Sequence, residues 1–327
     1  MKKTIWICLF FIIYFGCQET KVAPSTPFRE WLKPNGKLKV LSTTEIIGDF
    51  VKRIGGEHID HLNLIEGDID PHSYELVKGD DEKLECAQIV FCNGLGLEHG
   101  ASLQRRLQLH SKTVAVGTEI EKRYPEMILK QHHQVDPHIW MDPSIWVKSI
   151  DFIVSALSDL DPNRSVYFSS KGYELKVLIE TLDKDLQALF DQIQPQKRYL
   201  VTSHDAFNYF TRRYLATEEE KSSANWRQRC IAPEGLAPEG QLSIADMQNV
   251  LDKIELYNIG VLFFESNINP DCLKKMVSIC REKKLKVRLS EFPLYSDTIG
   301  HDSGMAHNYE QMIRYNAHLM VKEWQND

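Results

Sequence analysis

Along the first half of the chain, short apolar runs alternate with segments whose apolar residues recur at helical spacing. Residues 38–42, 59–65, 89–92 and 113–116 read as strands. Residues 46–54, stopped by Gly55-Gly56, together with 97–108 and 144–158, read as helices. The second half repeats the alternation, with strands at 198–202, 260–264 and 286–289 and helices at 206–215, 242–254, 270–281 and 303–323. Leu273, Met276, Val277 and Cys280 keep the i, i+3, i+4, i+7 spacing of one buried helix face. Strands alternating with helices predict parallel sheets covered on both faces.

Between the halves the pattern becomes purely helical. Asp161-Pro162-Asn163 is a good helix start, and no proline follows until Pro195. Leu175, Leu178, Ile179, Leu182, Leu186, Leu189, Phe190 and Ile193 hold helical spacing across that span. A helix of about 30 residues reaches roughly 45 Å, longer than one small domain. The predicted fold is therefore α/β with two lobes, each a mostly parallel sheet flanked by helices, joined by one long rigid helix. The lobes fall at 38–160 and 196–327, with the linking helix at 161–195, and each has length enough for its own apolar core.

The first 37 residues follow another logic. Lys2-Lys3, an apolar run over 5–15 and then Gly16-Cys17 have the proportions of a secretory signal, too short to span a bilayer comfortably. Gly before Cys at its end is similar to a bacterial lipobox, although Tyr14 and Phe15 stand where small or branched residues are usual. The expectation is a signal peptide over 1–16, a lipid on Cys17 and a polar tether over 17–37 with three prolines. Beyond it no segment is apolar over a spanning length.

Charge narrows the partners. With 39 basic against 46 acidic residues the formal charge is −7, and losing Lys2 and Lys3 with a leader makes it more negative. That argues against a nucleic-acid binder, which needs clustered lysine and arginine. Setting Cys8 and Cys17 aside, Cys86, Cys92, Cys230, Cys272 and Cys280 remain, an odd number. Export permits a disulfide, and Cys230–Cys280 is the expected pair because position 280 falls on the apolar stripe of its helix.

Four polar residues stand where apolar elements end. His72 sits in Asp70-Pro71-His72-Ser73-Tyr74, His138 in Asp136-Pro137-His138-Ile139-Trp140, His204 in Ser203-His204-Asp205-Ala206-Phe207 and Asp297 in Leu294-Tyr295-Ser296-Asp297. Open α/β sheets bind ligands at such loops. Neutral imidazoles and a carboxylate suit a divalent first-row metal, and the prolines before His72 and His138 reduce what binding must order. Glu265, ending the 260–264 strand, and Asp205 are candidates to orient a ligand. Among 12 histidines any single one is more often an ordinary loop residue, so the repeated Asp-Pro-His carries the signal. His132-His133 is a rival pair in a polar loop, and His99 reads as helix surface.

With these motifs in order, joined by Asn93-Gly94-Leu95-Gly96-Leu97-Glu98 and Phe264-Glu265-Ser266, the chain resembles a known family from residue 39 to about 319. It is similar to the cluster A-I, or TroA/ZnuA-like, solute-binding proteins of bacterial ABC transporters, which carry zinc, manganese or iron. In particular it resembles the iron- and manganese-associated members of chlamydiae, whose branch shares the segment 227–239 with Cys230, Pro233 and Pro238. The resemblance implies that His72, His138, His204 and Asp297 ligate one divalent metal as cargo, Fe(II) or Mn(II) ahead of Zn(II). It further implies a monomeric, non-enzymatic, extracytoplasmic protein that delivers to a membrane permease. Zinc uptake is the alternative within that class. A metallohydrolase, needing an open metal position and a base such as Asp205 or Glu265, and a surface adhesin are the alternatives outside it.

Overall fold

A computed structural model describes residues 26–131, 134–223, 225–238, 243–300 and 304–326. The expected signal peptide, Cys17 and His132-His133 lie outside the described residues. The first element is helix α1 (Thr26–Trp31), which buries Phe28 and Trp31 and ties Trp31 Nε1 to Asp60 O at 3.0 Å. Over residues 26–31 this corrects the expected tether. Two aromatic side chains carry enough apolar area to dock residues that a polar, proline-containing composition reads as loose.

The N-terminal lobe follows with β1 (Leu38–Ser42), α2 (Glu45–Gly55), β2 (Ile59–Asn63), α3 (Asp80–Cys86), β3 (Ile89–Cys92), α4 (Ala101–Leu109), β4 (Thr113–Ala115) and α5 (Val116–Arg123). Its four strands form one sheet, all parallel, in the order β2-β1-β3-β4. The side-chain alternation of a strand is visible in its packing. Val40 and Phe91 face one apolar cluster, while Leu41, Val90 and Cys92 face another that also takes in Phe28 and Trp31. Both faces are thus covered, as a parallel sheet requires. Helix α2 presents Ile46, Ile47, Phe50, Val51 and Ile54 to the core. It ends where Gly56 takes φ +53°, and a Cβ there would stand 2.2 Å from Tyr167 Oη.

A short antiparallel pair, β5 (Lys130–Gln131) with β6 (Gln134–Val135), leads into the second Asp-Pro-His. The single helix expected at 144–158 is two, α6 (Pro143–Trp146) and α7 (Ser149–Leu160). Asp142 caps the first by accepting Ser144 N, with Pro143 in the first turn. Helix α8 (Ser165–Asp191) then runs 27 residues, about 40 Å.

The C-terminal lobe contains β7 (Leu200–Val201), α9 (Asn208–Phe210) continued by one π-helical turn (Thr211–Leu215), α10 (Glu218–Ser223), β8 (Cys230–Ile231), α11 (Ile244–Leu256), β9 (Val261–Leu262), α12 (Asp271–Glu282), β10 (Arg288–Leu289) and α13 (Tyr309–Gln325). β7 pairs with β8 and β9 with β10, all parallel, and Phe263 N donating to Val201 O at 2.8 Å joins the pairs. The ladders are shorter than the apolar runs predicted, because burial extends past the hydrogen-bonded register.

Leu175, Ile179, Leu182, Leu186 and Phe190 of α8 pack in the same cluster as Val40 of one sheet and Leu200 and Val261 of the other. The expected pair of separate cores is therefore one shared core along α8, with an additional outer layer on each lobe. Asp183 on α8 adds a polar fastening, accepting from Arg213 Nε at 3.0 Å and Tyr214 Oη at 2.8 Å.

The expected Cys230–Cys280 disulfide is absent, and both thiols are free and buried. Strand alternation explains why. Ile231 shares the outer cluster of Cys280, so its neighbour Cys230 points to the opposite face of the sheet, into the shared core. The apolar stripe identified a buried position on the helix but not which face of the sheet it met.

Candidate metal centre

The two Asp-Pro-His motifs fold alike. Asp70 Oδ1 accepts the backbone N–H of His72 at 2.9 Å, and Asp136 Oδ1 accepts that of His138 at 3.0 Å. In each, the aspartate bonds two residues ahead across the proline, forming a local turn that sets the direction in which the histidine leaves the chain. The second copy adds a contact: Asp136 Oδ1 stands 2.8 Å from His138 Nδ1. A proton on Nδ1 shared with that carboxylate leaves Nε2 with its lone pair outward. Asn208 Nδ2 holds the other oxygen of Asp136 at 3.1 Å.

His204 leaves the carboxyl end of β7. Glu265, from the end of the β9 run, accepts the backbone N–H groups of Ser203 and His204 on Oε1, at 2.9 and 3.1 Å. Its Oε2 lies 2.7 Å from His204 Nδ1, a close charge contact rather than an aligned hydrogen bond. Asp297 is held from the side, since Asn267 Nδ2 donates to Oδ2 at 2.9 Å and Ser296 Oγ donates to Asn267 Oδ1 at 3.0 Å. The preceding carbonyl, Ser296 O, accepts Trp140 Nε1 from the other lobe at 2.7 Å, and Tyr309 Oη donates to Trp140 O at 2.7 Å.

These supports bring the four residues together. The imidazoles of His72, His138 and His204 and the carboxylate of Asp297 place one ligand atom each within 4.8 Å of all the others. His72 Nε2 is 3.3 Å from His138 Nε2, which is 3.6 Å from Asp297 Oδ1, and His204 Nε2 is 3.4 Å from Asp297 Oδ2. Four ligand atoms about 2.1 Å from one ion in a tetrahedron stand about 3.4 Å apart. None of the four residues exposes more than 2 % of its surface. His204 Nε2 and Asp297 Oδ1 are buried without a hydrogen-bond partner, which is costly unless another group satisfies them.

Electrostatics match this geometry. Burial drives His72 well below the ordinary imidazole range, so it is neutral. For His204 burial acts in the same direction, but Glu265 and Asp297 outweigh it and hold the ring well above that range. Burial would raise Asp297, and His204, His138 and His72 reverse this and hold it far below the carboxylate range.

Of the two expected orienting acids, Glu265 faces His204. Asp205 turns its carboxylate to Gln131 Nε2 at 3.0 Å, and burial lifts it to about 6. His99 precedes α4 rather than lying on it, with its ring centroid 5.7 Å from that of His72. Sequence reasoning missed the ring contact of Asp136, although the residue lies inside the motif. It also missed Asn208 and Asn267, whose amides leave no pattern because their partners lie 72 and 30 residues away.

Residues 40–323 match the family model ZnuA, the periplasmic component A of zinc-uptake complexes. The metal-binding protein YtgA of Chlamydia muridarum is 39% identical over 287 residues, covering 88% of this chain and 86% of that protein. The crystal structure of Fe(III)-bound YtgA from Chlamydia trachomatis superimposes with a TM-score of 0.83 at 39% identity, covering 88% of this chain and 98% of the other. The periplasmic zinc-binding protein TroA of Treponema pallidum gives 0.80 at 25% identity, covering 88% and 99%. With two α/β lobes on one long helix and a buried His/Asp cluster between them, the chain belongs to the TroA/ZnuA-like family of extracytoplasmic, non-catalytic metal-binding proteins of ABC transporters.

Proposed function

We propose that His72, His138, His204 and Asp297 are the protein ligands of one transition-metal ion, captured outside the cytoplasm and handed to an ABC permease. The observation that carries this reading is the burial of three imidazoles and a carboxylate at the mutual spacing of a coordination shell. Asp136 and Glu265 orient two of the rings. The lobes at 38–160 and 196–327 each contribute two ligands, with 161–195 as the rigid link. A closed site of this kind retains cargo until the permease draws the ligand loops apart.

Iron or manganese is the proposed cargo. The iron(III)-bound C. trachomatis structure supports this choice. The T. pallidum protein is described as zinc-binding, and a site with three nitrogens binds zinc tightly whatever its physiological cargo. We assign Cys17 as a lipid anchor following a signal peptide over 1–16. Mass analysis of the mature amino terminus should find lipid on Cys17, and an unmodified cleaved end overturns the anchor.

The ligand assignment predicts a proton count. Above its raised pKa, His204 loses its charge; below it, the ring is protonated and must release that proton before Nε2 can bind a metal. His72 is already neutral and releases none. Titrating Mn(II), Fe(II) or Zn(II) anaerobically into the metal-free mature chain should give one ion per chain with net proton release. Affinity should rise with pH below the raised pKa of His204. A pH-independent affinity sinks the assignment of His204.

A further inference from the structure

The segment after β8 passes beside the ligand loop of the C-terminal lobe. Glu234 N donates to Ser203 O at 3.2 Å and Asp205 N donates to Gly235 O at 3.0 Å, so two backbone hydrogen bonds lay Glu234 alongside His204. The Glu234 side chain stands outside the cluster of four. Its Oε2 is nevertheless buried, with no hydrogen-bond partner. A carboxylate oxygen enclosed without a donor is costly, and no lysine or arginine among the described residues forms an ion pair with it. Burial pushes the group up to about 7, and the charges closest in effect are those of His204, Glu265 and Asp70. The first two belong to the site and its supports, and Asp70 builds the His72 turn. Glu234 therefore lies beside the His204 loop, its segment tied there by two backbone hydrogen bonds, with a buried carboxylate oxygen that no donor satisfies.

We propose that Glu234 is a specificity-determining residue of the metal centre, giving a carboxylate oxygen to cations that take more than four ligands. The proposal rests on the four-ligand reading above and deepens it. Three imidazoles and Asp297 complete a tetrahedral zinc shell, and a fifth donor gains little there. Manganese takes higher coordination numbers and suits carboxylate oxygen. Glu234 would also bring the cation a negative charge and satisfy its own unpartnered oxygen. A residue acting in this way changes the ratio of manganese to zinc affinity rather than both affinities together.

The test is competition titration of Mn(II) and Zn(II) against the mature chain and its Glu234→Gln and Glu234→Asp variants, with His138→Ala in parallel. Glu234→Gln should weaken Mn(II) by about tenfold, the effect of removing one supporting contact, and leave Zn(II) within about threefold. Glu234→Asp keeps the charge but shortens the reach, and should lose Mn(II) affinity as Gln does. Equal weakening of both metals, no change in either, or full Mn(II) affinity in the Asp variant each overturns the proposal, the first and last pointing to a field or folding effect. His138→Ala reports separately on the four-ligand reading, since unchanged binding of both metals there defeats that reading whatever Glu234 does.

Discussion

Replacing His138 with alanine is expected to weaken every transition metal by about a hundredfold to a thousandfold while leaving the fold intact. Protein sites of four such ligands hold zinc with about 10–16 kcal/mol, so one ligand carries about 3 kcal/mol, equivalent to that change. His138 lies close to two of the other three, with Nε2 3.3 Å from that of His72 and 3.6 Å from Asp297. The fold should survive because Asp136, its ring partner, keeps two donors in the variant. These are the backbone N–H of residue 138 and Asn208 Nδ2. Competition with a chromophoric chelator measures the affinity, and circular dichroism of the metal-free variant checks the fold. A loss below about threefold would remove His138 from the shell.

The second large effect concerns stability. Trp140 is 2 % exposed, its ring centroid lies 5.3 Å from that of His138, and its Nε1 reaches across the lobes to Ser296 O. Trp140→Ala should destabilise the metal-free chain by about 3–5 kcal/mol, through lost apolar contact and the cavity left behind. It also leaves Ser296 O without its donor beside Asp297. Trp140→Phe retains most of the ring volume and removes the N–H, so its smaller loss, about 1–3 kcal/mol, isolates the hydrogen bond. Urea unfolding at one pH and without metal reads both. A Trp140→Ala chain unfolding within about 1 kcal/mol of the parent would show that the cross-lobe contact does not hold the lobes together.

The residues gathered in the candidate centre were legible in the sequence largely through local signals. His72 and His138 are marked by a repeated tripeptide whose cause is local, an aspartate bonding two residues ahead. His204 and Glu265 stand at strand ends, where parallel sheets gather ligands, and helix α8 left an unbroken apolar period between two prolines. Other features depend on distant partners. Asn267 and Asn208 act through single amides toward residues far along the chain, and no periodicity records that. The Cys230–Cys280 expectation failed for a related reason, because burial of a cysteine says nothing about which side of a sheet it meets. The strands of the second sheet came out short because apolar character reports burial, whereas ladder bonds depend on register.

Helix α8 has one more consequence. A continuous rod packed into a single core with both halves has no joint along its length that can absorb a large swing. Full and empty molecules will therefore have nearly the same outline. A membrane partner choosing between them must then sense the small patch of surface above the ligand loops, since the silhouette carries almost no information about load.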